Sequence, residues 1–262
     1  MSRSVTPRCA PAEARKGQVK VSSKVVGLSL CLVGVIGVSA CSSVSSGHST
    51  TGTTASSGGS AQNSGGYELP TTVTSLRIDG DAVSIDVTAA DSAKTITVRE
   101  QPKGRATTAK EVTGSSATLT AKCPSGLSFG IGCSVDYTVT MPPRVALTVD
   151  GTAGDMKLVG PFANATISTE AGRVEGTSLG AGTYEATTHA GEVDLKYAAP
   201  PNSVKVKTDV GEVVLTVPGG TKYAVTTETT VAVKNIHVDQ DPSSSHRLEV
   251  TTTVGAITIN NG

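Results

Sequence analysis

From Leu147 to the C-terminus the apolar positions fall into pairs of short alternating runs separated by a glycine. Six segments share this pattern: LTVDGTAGDMKL from Leu147, ISTEAGRVEG from Ile167, ATTHAGEVDL from Ala186, VKTDVGEVVL from Val206, VTTETTVAVK from Val225 and VTTTVGAITI from Val250. Their common form is apolar-x-Thr-x-x-Gly-x-apolar-x-apolar. The glycine position is taken by Gly154, Gly172, Gly191, Gly211, Thr230 and Gly255, in steps of about 18, 19, 20, 19 and 25 residues. In the fourth unit Val204, Val206 and Thr208 alternate with lysines, and Val213, Leu215 and Val217 follow Gly211. Alternation at period two marks a strand with one face in and one out. Each unit therefore predicts strand, corner, strand, with glycine supplying a backbone turn that a Cβ would hinder.

One such unit cannot bury its own apolar edge, so neighbours must stack. The expected fold is all-β: a solenoid-like stack of strand-turn-strand repeats of about 19 residues, with an N-terminal β cap. A β-sandwich of the same strands is the alternative, because paired antiparallel strands also alternate at period two. LRIDGDAVSIDV from Leu76 reads as a degenerate first unit. Strands at Ile96, Ala117 and Val135 are expected to cap the first coil. The threonine before each corner is expected to form a ladder, each hydroxyl bonding into the next coil. The fifth unit has lost its glycine to Thr230 and its apolar phase slips by one. The excursion NIHVDQDPSSSHR then precedes the last coil.

The N-terminus follows another pattern. A basic stretch runs to Lys24, and the apolar run VVGLSLCLVGVIGV spans Val25 to Val38. A run of that length suits a signal-peptide core and is short of the roughly 20 residues a membrane span requires. Val38-Ser39-Ala40-Cys41 resembles the bacterial lipobox. This implies cleavage before Cys41 and a diacylglycerol on its sulfur; the long basic stretch leaves open a start codon downstream of Met1. Ser42 to Gly66 is almost wholly Ser, Gly, Thr and Ala, the composition of a flexible tether. The expected organisation is a signal peptide over 1–40, a lipidated cysteine and tether over 41–66, and an ectodomain over 67–262. The expected location is the extracytoplasmic face of a cell membrane.

Charge changes the picture once the leader is set aside. The chain holds 22 basic and 22 acidic residues, but its first forty residues carry six basic and one acidic. The remaining 16 basic and 21 acidic residues leave it near −5. That sign speaks against a nucleic-acid partner, which needs a basic stripe to displace counterions. With no Trp and few Phe or Tyr, neither a base-stacking platform nor an aromatic sugar strip is readily built. After Cys9, Cys31 and Cys41, one pair remains, Cys123 and Cys133, flanking PSGLSFGIG. A disulfide closing that loop suits an oxidising compartment. Free thiols or a metal site are the other readings, and no further ligand stands nearby at zinc spacing.

The sequence offers little catalytic chemistry. It has no His-Glu-x-x-His helix. His189, next to Gly191 and Glu192, is the most site-like of the four histidines, and Asp155 is the acidic residue an enzyme reading would call on. Asp79 and Asp81 flank Gly80, while Asp150 and Asp155 bracket GTAG. Calcium requires six to eight converging oxygens, and these repeats lack the Gly-Gly-x-Gly-x-Asp cadence of calcium-binding rolls; Asp-Gly turn chemistry is the simpler reading. No cofactor or metal is expected. Lys205, Lys207, Asp209 and Glu212 point outward on one coil, and Glu185, Glu192, Asp194 and Lys196 on the one before. Such rows make either a recognition face or a solvated side that discourages edge pairing.

The CSVDYTVTMP run from Cys133, with the recurrent TxxGxV corners and VPGG, resembles the putative-adhesin family, a domain of unknown function in bacterial envelope proteins. The likeness runs from about Leu76 to Asn260. It implies a solenoid-like all-β ectodomain and transfers no catalytic residue. The expected function is that of a non-enzymatic, membrane-anchored lipoprotein whose repeat face binds an envelope protein or cell-wall polymer. A spacer or envelope-stress accessory without a ligand is the alternative, and an enzyme acting on wall polymer is a third.

Overall fold

A computed structural model describes residues 65–124 and 132–262 of the chain. The leader, Cys41 and most of the tether lie outside the described residues, as does the middle of the loop between Cys123 and Cys133.

The repeats fold as the alternation requires. Each contributes one strand to either side of a corner: β7 (Ala146–Ala153) with β8 (Met156–Val159), β9 (Asn164–Ala171) with β10 (Val174–Leu179), β11 (Thr183–Ala190) with β12 (Val193–Tyr197), and β13 (Ser203–Val210) with β14 (Val213–Val217). Before the corner, β7, β9, β11 and β13 pair in parallel and in register. Past it, β8, β10, β12 and β14 also pair in parallel, with a register shift in β10 between Gly176 and Leu179. Parallel pairing of consecutive units without intervening helices is the geometry of a coil wound on itself, which the sandwich alternative does not share. Inward positions are buried: Val204 and Val206 on one arm and Val213, Leu215 and Val217 on the other are at most 1% exposed.

At the first end, β2 (Ser75–Ala89) is a 15-residue strand that runs through the corner and supplies a coil of its own. Its first half pairs with β7 and its second with β8. On its other side lie β5 (Ser116–Lys122) and β6 (Ser134–Met141), also parallel to it. Three antiparallel strands finish that end: β4 (Thr107–Thr113) on β5, β3 (Thr97–Lys103) on β6, and β1 (Gly66–Glu68) on β3.

The other end departs from sequence order. The last two strands are β15 (Ala224–His237) and β16 (Arg247–Asn261). The C-terminal strand β16 pairs with β13 and β14 on one side and with β15 on the other. The last repeat in the chain is thus inserted beneath the fifth, and the fifth closes the stack. The excursion after His237 carries the chain back to the inner level, anchored by the hydrogen bond from the Tyr223 amide to the Asp239 carbonyl (2.9 Å) and by His246 Nδ1 on the Pro201 carbonyl (2.8 Å).

The register also relocates two details. Gly255 faces Ala232, so Ala232 and not Thr230 holds the corner position of the fifth unit. The phase slip is visible as Lys234 facing Ile257, while Val231 and Val233 stand 63% and 64% exposed. The inward threonines do align, Thr169 with Thr188, Thr208 and Thr252. They do not form the expected inter-coil ladder. The Thr169 hydroxyl donates to the Ala171 carbonyl within its own coil (3.2 Å), and the hydroxyls of Thr188, Thr208 and Thr252 have no hydrogen-bond partner. A β-branched side chain of that volume fills the corner; the oxygen contributes little.

Two substitutions test this account by chemical denaturation. Replacing Gly211, whose added Cβ would lie 1.7 Å from the Gly191 carbonyl oxygen, is expected to cost more than about 3 kcal/mol. The same change at Gly220, where φ is +77° but no atom lies within 4 Å, should cost about 1 kcal/mol. Equal losses would show that backbone angle, not coil-to-coil approach, selects glycine. Thr208→Val removes an unpartnered buried hydroxyl at constant volume and is expected to be neutral or to stabilise by up to about 1 kcal/mol. A loss above that would reveal a partner for the hydroxyl.

Candidate functional site

At the corner each coil presents outward side chains in rows. The corner is built on the glycines. Gly154, Gly172, Gly191, Gly211 and Gly255 stack so closely that a Cβ on any of them would overlap the backbone carbonyl one coil below. At Gly211 φ is +156°, and its N–H donates to the Val254 carbonyl at 3.0 Å. The hydrogen-bonded ladder therefore continues around the bend, and side chains flanking the glycine stay in register from coil to coil.

Three rows follow the corner. The residue just before the glycine is apolar in each coil: Ala153, Ala171, Ala190, Val210 and Val254, with Val231 aligned on the final coil. On one side lie Glu170, His189 and Asp209; on the other lie Asp155, Arg173, Glu192 and Glu212. His189 Nδ1 meets Asp209 Oδ2 at 2.7 Å across neighbouring coils. The Arg173 amide donates to Asp155 Oδ1 (3.0 Å), and its guanidinium pairs with Glu192. His189 and Asp155 thus belong to different rows with different partners. The structure does not bring them together as an enzyme would need. The apolar row was missed in the sequence analysis, although an Ala or Val directly before each corner glycine is a plain signal.

The acidic residues near the first end are engaged with cations and amides. Asp79 and Asp150 are cross-strand neighbours, and the Arg77 guanidinium bridges them, its Nη2 3.0 Å from Asp150 Oδ2. That pairing, Asp79 foremost, pushes the Arg77 pKa up. Asp81 Oδ2 accepts the Cys123 amide at 3.0 Å. These groups line a shallow polar cavity of about 250 Å³ with Thr120, Lys122 and Thr152. Among the described residues no group of three or more His, Cys, Asp or Glu is placed to hold a metal ion. Cys123 and Cys133 are joined, with Cα atoms 5.9 Å apart, where β5 ends and β6 begins. The bond closes the bend of the outermost coil, where no glycine corner does so.

All five tyrosines have raised pKa values. Burial is the leading cause at Tyr67, Tyr137, Tyr184, Tyr197 and Tyr223, and the Glu100 carboxylate adds to it at the first two. A raised acid contributes stability that is complete below its unfolded value, about 10, and declines as pH rises beyond it. In an alkaline titration the tyrosinate absorbance should therefore appear together with loss of the β-sheet signal. Ionisation near pH 10 with the fold intact would contradict the burial.

No curated protein matches the chain. Among solved structures, it is similar to a putative cell adhesion protein from Clostridium sporogenes, with 15% identity over 76% of this chain and 98% of that one, at a TM-score of 0.47. A putative adhesin from Bacteroides fragilis shows 13% identity over 75% and 95%, at 0.41. A putative lipid binding protein from Parabacteroides distasonis shows 12% over 76% and 96%, at 0.25. Residues 134–260, which include all the glycine corners, match the family model Toastrack DUF4097, and this part of the chain belongs to that family.

Proposed function

We propose that the protein is a non-enzymatic binding module, held by a lipid on Cys41 to the extracytoplasmic face of a cell membrane and displaying its coils to an envelope protein or cell-wall polymer. One observation carries the reading: outward side chains of successive coils stand in register on a rigid parallel stack. Adjacent strands lie about 4.8 Å apart, so each row is a fixed ruler of side chains needing no ordering when a partner arrives. The tether composition from Ser42 to Gly66 supports it, since a flexible segment lets the folded part sample the space above a membrane. The chemistry around His189 also supports it: its imidazole is engaged with Asp209 at the surface.

The test is in-cell photo-crosslinking from outward positions on different rows, Lys207 and Asp194, with the captured material identified by mass spectrometry. A single dominant product, lost from one row and kept from another, is the expected outcome. A smear of abundant envelope proteins, the same from both rows, would make the stack a spacer. Cys41→Ser is expected to release the protein from the membrane fraction; continued membrane association would remove the lipid anchor from the reading.

A further inference from the structure

Among the described residues five large apolar side chains are exposed, and four of them gather at one place. Val210 (55% exposed), Val254 (44%) and Val231 (63%) are direct register neighbours on three successive coils. Val233 (64%) lies beside them on the last coil, next to Ala256. The same row continues as Ala190, Ala171 and Ala153, so an apolar crest follows the corner for most of the stack. Packing the valines side by side hides part of each from water, yet about half of each remains exposed. A contiguous apolar patch with a polar rim marks an interaction surface.

The rim says what the partner carries. Asp155, Glu170, Glu192, Asp209 and Glu212 flank the crest against one guanidinium, Arg173, and the imidazole of His189. The surplus of four negative charges on this corner accounts for most of the −5 borne by the chain beyond residue 40. A surface of that sign repels anionic lipid headgroups, acidic wall polymers and nucleic acid, and it steers basic partners inward.

We propose that the glycine corner is a docking surface for a polypeptide whose contact segment is basic with an apolar centre. Its apolar side chains lie along Val210, Val254 and Val231, and its lysines or arginines face the flanking carboxylates. This rests on the binding-module reading above and names the partner class for it.

The described residues lie within one compact unit, and the chain from Ser57 onward is the protein to test. The probes are an immobilised soluble lysine–valine peptide and its glutamate–valine counterpart, compared at low and physiological salt. The lysine–valine peptide is expected to bind, more weakly as salt rises, and the glutamate–valine peptide not at all. Glu170→Lys with Glu212→Lys, and separately Val210→Ser with Val254→Ser, should each weaken binding by about tenfold or more. Reversing Glu185 and Glu249, on the outward face of β11 and β16 away from the corner, should leave it within about twofold. An unchanged melting temperature in each variant secures the comparison. Absence of binding, insensitivity to the corner changes, or equal loss from the Glu185 and Glu249 reversal would each overturn the proposal. A photo-crosslinker at Val254 separates the two readings. Products from Lys207 and none from Val254 would leave a binding module whose surface is elsewhere, whereas no specific product from any row would end both.

Discussion

The structure depends on one close approach, the seating of each corner glycine on the backbone of the coil below. A Cβ at Gly255 would fall 1.8 Å from the Gly211 carbonyl oxygen, and one at Gly211 1.7 Å from that of Gly191. Only a hydrogen fits there. Because the approach is that short, the corner amides bond from coil to coil, Gly191 to Val210 and Gly211 to Val254, each at 3.0 Å. The bend therefore does not interrupt the ladder. Both arms of each coil take their register from it, and register decides which side chains are buried, since a slip of one residue would turn Val204 and Val206 outward and Lys205 and Lys207 inward. The first coil manages without a left-handed glycine by running β2 through the bend as one strand. The coil outside it closes through the Cys123–Cys133 bond instead.

The ends of a stack pose a different problem, because their last strand has no neighbour. At both ends the strand order departs from chain order: β2, the second strand, has coils on either side of it, and β16, the last, lies between β13 and β15. The outermost layers are then the least regular ones. At the first end antiparallel β4 is exposed along its whole length. At the other, β15 turns Lys234 to an inward position, where its ammonium donates to the Thr227 carbonyl at 2.8 Å. An inward charge on an edge strand makes continued strand addition costly, because the next coil would bury it. The slipped phase of the fifth repeat is thus what an end coil requires.

The repeats were legible in the sequence because two periodicities coincide there, alternation along each strand and recurrence of about 19 residues between corners. The order of the last two coils was not legible. Val225 to Lys234 and Val250 to Ile259 carry nearly the same pattern, and nothing local in either says which has a partner on both sides. Counting from Thr227 alone put the missing glycine at Thr230, where the register puts it at Ala232. The threonine ladder failed for a geometric reason: backbone strands 4.8 Å apart hold equivalent hydroxyls beyond hydrogen-bond reach unless their rotamers turn toward one another. The apolar crest could have been read directly, but the template treated the two positions before glycine as free.

What holds the stack and what decorates it are largely separate. The contacts between coils on the outer rows are exposed ion pairs, such as His189 with Asp209 and Arg173 with Glu192, in which each partner is at least one-third exposed. Pairs of that kind are worth about 1 kcal/mol or less each. The inward rows are different: Val174, Val193, Val213 and Ile257 form one apolar column with no measurable exposure, and each fully buried side chain of this kind contributes about 1.5–3 kcal/mol. The outer residues can therefore change sign, size or polarity with little effect on the fold, provided the glycines and the inward apolar positions stay. Four exposed valines and a run of carboxylates confined to one corner are thus not demanded by the architecture, which would accept lysine or serine at those positions equally well. That freedom is the physical reason to look for function in the outer rows of this stack and not in its interior.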